Sequence, residues 1–318
     1  MTTHTLIPIR SLLGAALSLT AVLAQADEGG VPFWFSGQYS SLSATPATPG
    51  WSFTMMGYGY SGSASASKSL IRGNTVAAGV SSDVALLLAQ PSYAPDTKWL
   101  GGQASMGVGF GYGRNRTKAD ISTSAAFGTQ LNRSDTINGF TDLYPVVSIA
   151  WTEGLNNWMT YATGDIPVGA YDSKRLANIG IGHAAFDAGG GYTYLDAQTG
   201  REFSIVGGFT YNWENSDTKY KNGIDSHVDW AASQFLSANW QVGVAGYVYY
   251  QLTGDSGSGA KLGPFKSRIA AIGPEVGYVF KVGGLPAYAN VRAYYEFWAQ
   301  NRVSGYAVFA TVVLPLGK

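Results

Sequence analysis

The stretch ANVRAYYEFWAQ, residues 289–300, alternates in polarity from one residue to the next. One set of alternate residues is largely polar: Asn290, Arg292, Tyr294, Glu296, Trp298 and Gln300. The other set is apolar or aromatic: Ala289, Val291, Ala293, Tyr295, Phe297 and Ala299. Side chains of a β-strand point to opposite faces in turn, so a period of two predicts a strand with one face in water and the other in an apolar medium.

Three further stretches show the same period: WQVGVAGYVYYQ (240–251), LGGQASMGVGFGY (100–112) and FSIVGGFTYNW (203–213). Their length is close to the roughly 9 to 11 residues with which a tilted strand crosses a bilayer. Gly, Ala and Ser are frequent on the polar faces, and Trp and Tyr collect near the ends of the apolar faces. A girdle of aromatic residues at each boundary between lipid and water is typical of a transmembrane barrel.

The composition agrees with this interpretation. Charged residues make up 13% of the chain and aromatic residues 14%, whereas a soluble domain has about 25% charged residues. Without the first 26 residues, 19 basic residues stand against 20 acidic ones. Because no cluster of Lys and Arg is present, nucleic acid is not an expected partner.

The N-terminus predicts export. Residues 1–26 combine Arg10, the apolar run SLLGAALSLTAVLA and a small-residue cleavage site after Ala26, as in a secretory signal peptide. The run is too short for a transmembrane helix, which needs about 20 residues. The chain has no cysteine and therefore no disulfide. We divide it into a signal peptide (1–26), a periplasmic or lumenal N-terminal segment (27–50) and a barrel (51–318).

The fold class predicted is all-β, a transmembrane antiparallel barrel. Twelve strands are expected, at 51–60, 74–89, 99–112, 141–152, 157–168, 179–195, 201–213, 223–235, 239–252, 268–280, 287–299 and 303–316. Long and short connections tend to alternate between them, which is typical of external loops and periplasmic turns and places both termini in the periplasm. An extra hairpin at 117–135 would raise the count to 14.

Only a closed sheet satisfies every backbone N–H and C=O of strands in lipid. The apolar face of residues 289–300 is therefore expected to meet lipid, and the polar face to line the lumen.

Four stretches carry a family resemblance: GVPFWFSGQYSSLSATPATPGW (30–51), DIPVGAY (165–171), YYQLTGDSGSGAKLGPFKSRIAAIGPEVGY (249–278) and RAYYEFWAQNRVSGYAVFATVVLPL (292–316). They resemble the outer-membrane family named for the meta-pathway of phenol degradation. The resemblance implies a Gram-negative outer-membrane barrel that admits aromatic or other hydrophobic compounds and is inserted by the barrel assembly machinery. The chain departs from barrels in general by ending in PLGK, where assembly signals usually end on an aromatic residue.

Strand parity places eight ionisable residues in the lumen: Asp83, Asp142, Asp225, His227, Asp229, Glu275, Arg292 and Glu296. A Lys or Arg on the lipid face near the midplane would cost about 2 to 4 kcal/mol, which enforces this parity. Two interpretations remain open. The charges form a constriction that selects solutes, or Arg292 pairs with Glu275 or a nearby Asp and fastens neighbouring strands in a filled barrel.

The N-terminal segment contains Phe33, Trp34 and Phe35, aromatic residues that gain by leaving water. We expect the segment either to fold into the barrel as a plug or gate, with these aromatics forming an apolar contact for a solute, or to pack at the periplasmic rim.

A catalytic function is not predicted. A barrel lipid hydrolase needs a Ser and a His in contact. His227 has no serine at a suitable position on its own strand, and His183 could meet a serine only across strands. GVGFGYG (107–113) opens no helix and is not a dinucleotide loop, and GDSGSGAKLG (254–263) lacks the residues of a phosphate or calcium loop. No cofactor or metal is expected.

The sequence therefore predicts a passive outer-membrane channel for small hydrophobic or aromatic compounds, with membrane lipids and that solute as partners. The alternative is a structural or surface-interaction barrel without through-flow, and an outer-membrane lipid hydrolase is a third, less favoured one.

Overall fold

The computed structural model describes residues 33–64, 69–72, 75–122, 130–261 and 263–317, so the predicted signal peptide lies outside the described residues. The described chain forms fourteen strands. They are β1 (Gly50–Ser63), β2 (Ser69–Arg72), β3 (Thr75–Ala94), β4 (Gln103–Ser122), β5 (Gln130–Phe140), β6 (Tyr144–Glu153), β7 (Asn156–Asp165), β8 (Ala185–Asp196), β9 (Arg201–Asn212), β10 (Asp225–Phe235), β11 (Trp240–Gln251), β12 (Arg268–Val282), β13 (Leu285–Gln300) and β14 (Ser304–Gly317). No helix in the described ranges is long and apolar enough to cross a membrane.

Twelve of these strands close into an antiparallel barrel. The ring closes because β1 pairs with both β14 and β3, and β3 pairs in turn with β4. β6 then pairs with the first half of β4, and the remaining strands follow in chain order. The short β2 and the longer β5 extend β3 and β4 beyond the ring. The predicted count of twelve is confirmed, and the predicted extra hairpin is β5 paired with the outer half of β4.

Connections between ring strands mostly alternate in length, with the three-residue connection between β13 and β14 as an exception. Turns of two to four residues join β6 to β7, β8 to β9, β10 to β11 and β12 to β13. Longer connections join β7 to β8 (166–184), β9 to β10 (213–224) and β11 to β12 (252–267). β1 starts and β14 ends at the short-turn end, where Trp51 pairs with Gly317. By the general rule for such barrels, this end faces the periplasm.

The outer wall is apolar and has aromatic residues at both ends. At the short-turn end, ring pairs form with centroids 4.6 to 5.2 Å apart: Trp51–Tyr93, Trp158–Tyr192 and Trp240–Tyr278. At the long-loop end, ring pairs form with centroids 5.1 to 5.3 Å apart: Tyr112–Phe140, Tyr211–Trp213 and Tyr295–Tyr306. The predicted aromatic girdles are therefore present at both boundaries.

The stretch 289–300 follows the predicted alternation as far as Phe297. A β-bulge then interrupts the pairing of β12 with β13, and Trp298 takes a positive φ of 59°. One extra residue reverses the parity of those that follow. Trp298 therefore points outward, 49% exposed, with the Arg268 guanidinium 4.5 Å above its ring. The predicted lumenal position of Trp298 is wrong for this reason, as is that of the exposed Gln300.

Candidate functional site

Residues 33–49, here called the N-terminal segment, lie inside the barrel before the chain enters β1. Most of their side chains are buried, and their backbone bonds to inward-facing side chains of the wall. The Gly37 N–H donates to Asp229 on β10 over 2.9 Å, and the Ala44 N–H donates to Thr193 on β8 over 3.0 Å. The segment therefore occupies the lumen at the level of these strands.

Trp34 forms an aromatic stack in the lumen. Its ring lies parallel to the His227 imidazole, with centroids 3.5 Å apart and planes 12° apart. Tyr39 stacks on it at 5.5 Å and Tyr161 packs at 5.6 Å. All four side chains are buried. A flat aromatic ring is thus held between wall residues of β7 and β10, and we call this place the Trp34 stack.

Asp187 on β8 holds the wall side of the Trp34 stack. Its carboxylate accepts hydrogen bonds from Tyr161 Oη at 2.8 Å, Thr210 Oγ1 at 2.5 Å and His227 Nε2 at 3.0 Å. His227 Nε2 also lies 3.4 Å from Tyr161 Oη. The three bonds fix the imidazole plane on which Trp34 rests.

The other two aromatics of the N-terminal segment pack on a second part of the wall. Phe35 meets Tyr58 at 4.3 Å and Phe309 at 5.1 Å, both in edge-on geometry, and Phe33 lies 6.4 Å from Tyr144. Phe33 and Phe35 are 1% and 3% exposed. The three residues singled out in the sequence therefore contact the lumen wall and not the periplasmic rim.

A turn at Gly37 is bound from both sides by charged groups. Asp229 accepts the N–H groups of Gly37 at 2.9 Å and Tyr39 at 3.3 Å. Arg292 donates from Nε to the Gly37 carbonyl at 2.9 Å and from Nη2 to the Gln38 carbonyl at 2.8 Å. Charge-assisted bonds of this kind are among the stronger ones in proteins. We call these contacts the Gly37 turn.

Gly37→Ala is expected to dislodge the N-terminal segment. Gly37 has a φ of +85°, and a Cβ there would lie 2.8 Å from Tyr294 Cε2 and 2.9 Å from Tyr247 Cδ1. Gly101→Ala is the matched control, since Gly101 has a φ of +80° with no atom within 4 Å of an added Cβ. Limited proteolysis should cleave the N-terminal segment of the Gly37 variant faster while leaving the control unchanged. Equal cleavage of the two variants would contradict this steric explanation.

Glu202 on β9 forms a second anchor. Its Oε1 accepts the Leu42 N–H at 2.9 Å and its Oε2 accepts Ser233 Oγ at 2.6 Å, while Ser204 Oγ also donates to it. Leu42 is fully buried with a φ of 68°. Glu202 and Asp187 are not among the residues predicted for the lumen. For Glu202 the alternation of β9 carries the signal, since Glu202 shares the face of the buried Ser204.

Six of the eight charged residues predicted for the lumen are buried on inward faces of strands: Asp225, His227, Asp229, Glu275, Arg292 and Glu296. Tyrosines hold two of the carboxylates. Glu296 accepts Tyr247 Oη at 2.6 Å and Tyr60 Oη at 3.0 Å, and Asp225 accepts Tyr249 Oη at 2.7 Å. The interior therefore joins carboxylates to an aromatic lining.

Arg292 binds the N-terminal segment instead of a carboxylate on a neighbouring strand. Glu275 is its paired residue on β12, yet the ion pairs between described residues do not include Arg292. Its further contacts include Asn290 Oδ1 at 2.9 Å, Thr311 Oγ1 at 3.2 Å and the face of Phe309 at 4.5 Å. The described contacts therefore do not include an Arg292–Glu275 pair that would fasten β13 to β12.

Asp142 and Asp83 depart from their predicted places. Asp142 is buried but precedes β6, and it accepts the N–H groups of Gly169 at 2.7 Å and Ile181 at 2.9 Å. It therefore fastens the 166–184 loop at the barrel mouth, and burial raises the pKa of its carboxyl. Asp83 is exposed and bonds Ser61 Oγ on the outer face of the wall, so its predicted lumenal position is wrong.

The outer wall has an apolar depression of about 650 Å³. Pro91 on β3 and Pro145 on β6 lie in its lining, and neither can donate a ladder hydrogen bond. Outward-facing apolar side chains complete much of it: Trp51, Tyr93, Met106, Val108, Val147 and Phe186. At this place the wall offers apolar surface and fewer backbone hydrogen bonds.

The contacts of the two histidines are with acidic, aromatic and backbone groups. His227 Nε2 lies near Asp187 and Tyr161, and His183 Nδ1 is 3.1 Å from the Ile181 carbonyl. Across the described ranges, no group of three or more His, Cys, Asp or Glu side chains is arranged to hold a metal ion.

Solved structures share the fold at low sequence identity. The COG4313 outer membrane channel from Pseudomonas putida F1 matches with a TM-score of 0.64 and 10% identity, over 84% of this chain and 95% of that one. The beta domain of the Bordetella autotransporter BrkA matches with a TM-score of 0.50 and 10% identity, over 84% of this chain and 100% of that one. No curated protein matches the chain significantly.

A family model also matches the sequence. It is described as "Putative MetA-pathway of phenol degradation" and covers residues 61–312, which is nearly all of the barrel.

Proposed function

Because the chain belongs to this phenol-degradation family, we propose that it mediates the passive uptake of small hydrophobic or aromatic compounds. The closed barrel lies in the outer membrane, where its apolar wall contacts lipid. Uptake along a concentration gradient requires a path and contacts for the solute, and it requires no cofactor. The barrel assembly machinery is the expected partner during insertion.

The observation that carries this proposal is the Trp34 stack. A planar ring is held between His227 and the tyrosines of the wall, in the geometry in which an aromatic solute would bind after the N-terminal segment withdraws. Aromatic pairs of this kind contribute about 0.5 to 1.5 kcal/mol beyond the burial of their area. Contacts of that size bind an aromatic ring weakly enough that it dissociates again.

The N-terminal segment acts in this proposal as a gate. Its aromatics occupy the contacts that a solute would use, and its backbone is held by reversible hydrogen bonds at the Gly37 turn and at Glu202. Three inward-facing charged residues, Asp229, Arg292 and Glu202, bind this gate. Selection of the solute then falls to the aromatic surfaces.

We infer that the protein is no enzyme. Its family is associated with phenol degradation, but His227 is engaged by an acidic residue and two aromatic rings. Nucleophilic catalysis would need a serine or similar group in contact with that base. A serine-reactive probe is expected to leave the folded protein unlabelled.

Single-channel recording of the refolded protein in a planar bilayer tests the function. Discrete openings that phenol partly blocks are expected, because phenol would compete for the Trp34 stack. Silent bilayers together with phenol uptake by proteoliposomes would instead indicate exit through the wall, where the outer depression lies. Absence of both conductance and uptake would favour the barrel without through-flow.

A further inference from the structure

Arg302 is a buried arginine with donor groups that the described residues do not use. It lies in the short connection between β13 and β14 at the long-loop end and is 7% exposed. Nε and Nη1 are fully buried and have no hydrogen-bond partner among the described residues. A buried guanidinium without partners is costly, because its desolvation is not compensated. Such a group has donors left to bind a ligand.

Glu296 interacts electrostatically with the same two tyrosines as Arg302, Tyr58 and Tyr247, and it is already bound by other donors. Glu296 accepts from Tyr60, Tyr247 and the Gly305 N–H. The described ion pairs do not include Arg302. The positive charge at the mouth is therefore not neutralised by these contacts.

The surroundings of Arg302 are aromatic. Its guanidinium lies 5.1 Å from the centre of the Tyr249 ring, and it interacts electrostatically with Tyr58 and Tyr247. The adjoining Val303 is 1% exposed and belongs to the same apolar cluster as these tyrosines. A ligand at this place would meet one cation and several apolar rings.

We propose that Arg302 binds the carboxylate of an aromatic monoacid at the outer mouth of the lumen. A guanidinium presents a planar fork of donors that matches a carboxylate, and the ring of the acid would pack on the tyrosines. A single cation suits a monoanion better than a more highly charged phosphate. The inference rests on the proposed function, since the site would select among the aromatic compounds that enter.

Benzoate binding to the refolded protein in detergent micelles, measured by calorimetry, is the test. Arg302→Gln is expected to weaken benzoate binding about tenfold or more, as expected for the loss of one charge-assisted hydrogen bond. Arg302→Lys keeps the charge but not the planar fork of donors. Its benzoate affinity should lie between those of the unaltered protein and Arg302→Gln. Benzyl alcohol, a neutral ligand of similar shape, should bind more weakly than benzoate to the unaltered protein.

Arg268→Gln is the matched control, because Arg268 lies at the same end of the barrel but stacks on Trp298 at the outer face. It should leave benzoate binding unchanged. Equal benzoate affinity in the unaltered and Arg302→Gln proteins, each shown to be folded by heat-dependent gel mobility, would overturn the proposal. Inorganic phosphate competing better than benzoate would overturn the carboxylate assignment. Benzoate binding without phenol uptake would refute the uptake function and leave the anion site standing.

Discussion

Deletion of residues 28–48 is expected to raise the single-channel conductance of the refolded barrel severalfold. The deletion removes Trp34 and Tyr39 from the Trp34 stack, together with the backbone groups that are bound at the Gly37 turn and by Glu202. The wall remains closed without the segment, since the ring of strands begins at Gly50. Asp229, Glu202 and Arg292 would then be hydrated, so the free energy of unfolding should fall without loss of the fold.

A matched variant distinguishes the effect of losing the aromatic contacts from the effect of losing the polypeptide segment. Replacing Trp34, Phe33 and Phe35 by serine keeps the length and the backbone anchors but removes the ring contacts. The open periods of this serine variant should be shorter than those of the deletion variant. Phenol should block the serine variant more effectively than it blocks the unaltered protein, because the place of Trp34 in the stack is vacant. Unchanged conductance and uptake in the deletion variant, with normal heat-dependent gel mobility, would refute the gate.

Alternation predicted the wall well because lipid and lumen differ strongly in polarity along most strands. Residues 240–251 show this, with exposed Val242, Val244 and Val248 opposite buried Gln241 and Gln251. Because a charge in lipid is energetically costly, the lipid-facing and lumen-facing sides of such strands can be predicted from the sequence.

The prediction was wrong for Asp83 because both faces of β3 are apolar there. Val84, Leu86 and Leu88 point inward and join the same apolar cluster as Phe35, so polarity does not distinguish the lumen from the lipid. The interior is apolar at this place because residues from distant parts of the chain pack on one another. Such contacts are a tertiary property that local alternation does not encode.

The sequence narrows the position of the N-terminal segment to two places but does not decide between them. Aromatic content predicts that Phe33, Trp34 and Phe35 leave water, whereas the choice of His227 as the partner of Trp34 depends on strand register across the lumen. The bulge at Trp298 is a similar case, since one inserted residue changes the face of those after it without altering the composition.

Arg292→Ala is expected to open the channel and to shift its selectivity toward cations. The guanidinium makes two bonds to backbone carbonyls of the N-terminal segment, and a hydrogen bond to a charged group contributes about 1.5 to 3 kcal/mol. Loss of either bond should raise the fraction of molecules with a released N-terminal segment about tenfold or more. Removal of the cation also leaves the inward carboxylates, including Asp229 and Glu275, without this counter-charge.

Arg292→Lys separates anchoring from charge. Lysine keeps the positive charge but lacks the planar fork that reaches the Gly37 and Gln38 carbonyls together, so this variant should open nearly as often as Arg292→Ala. Its reversal potential in a salt gradient should stay close to that of the unaltered protein. Arg201→Ala is the control, because Arg201 is exposed at the short-turn end, and it should change neither quantity. If Arg292→Lys instead kept the channel closed, charge alone would hold the segment, and the bidentate geometry at the Gly37 turn would not matter.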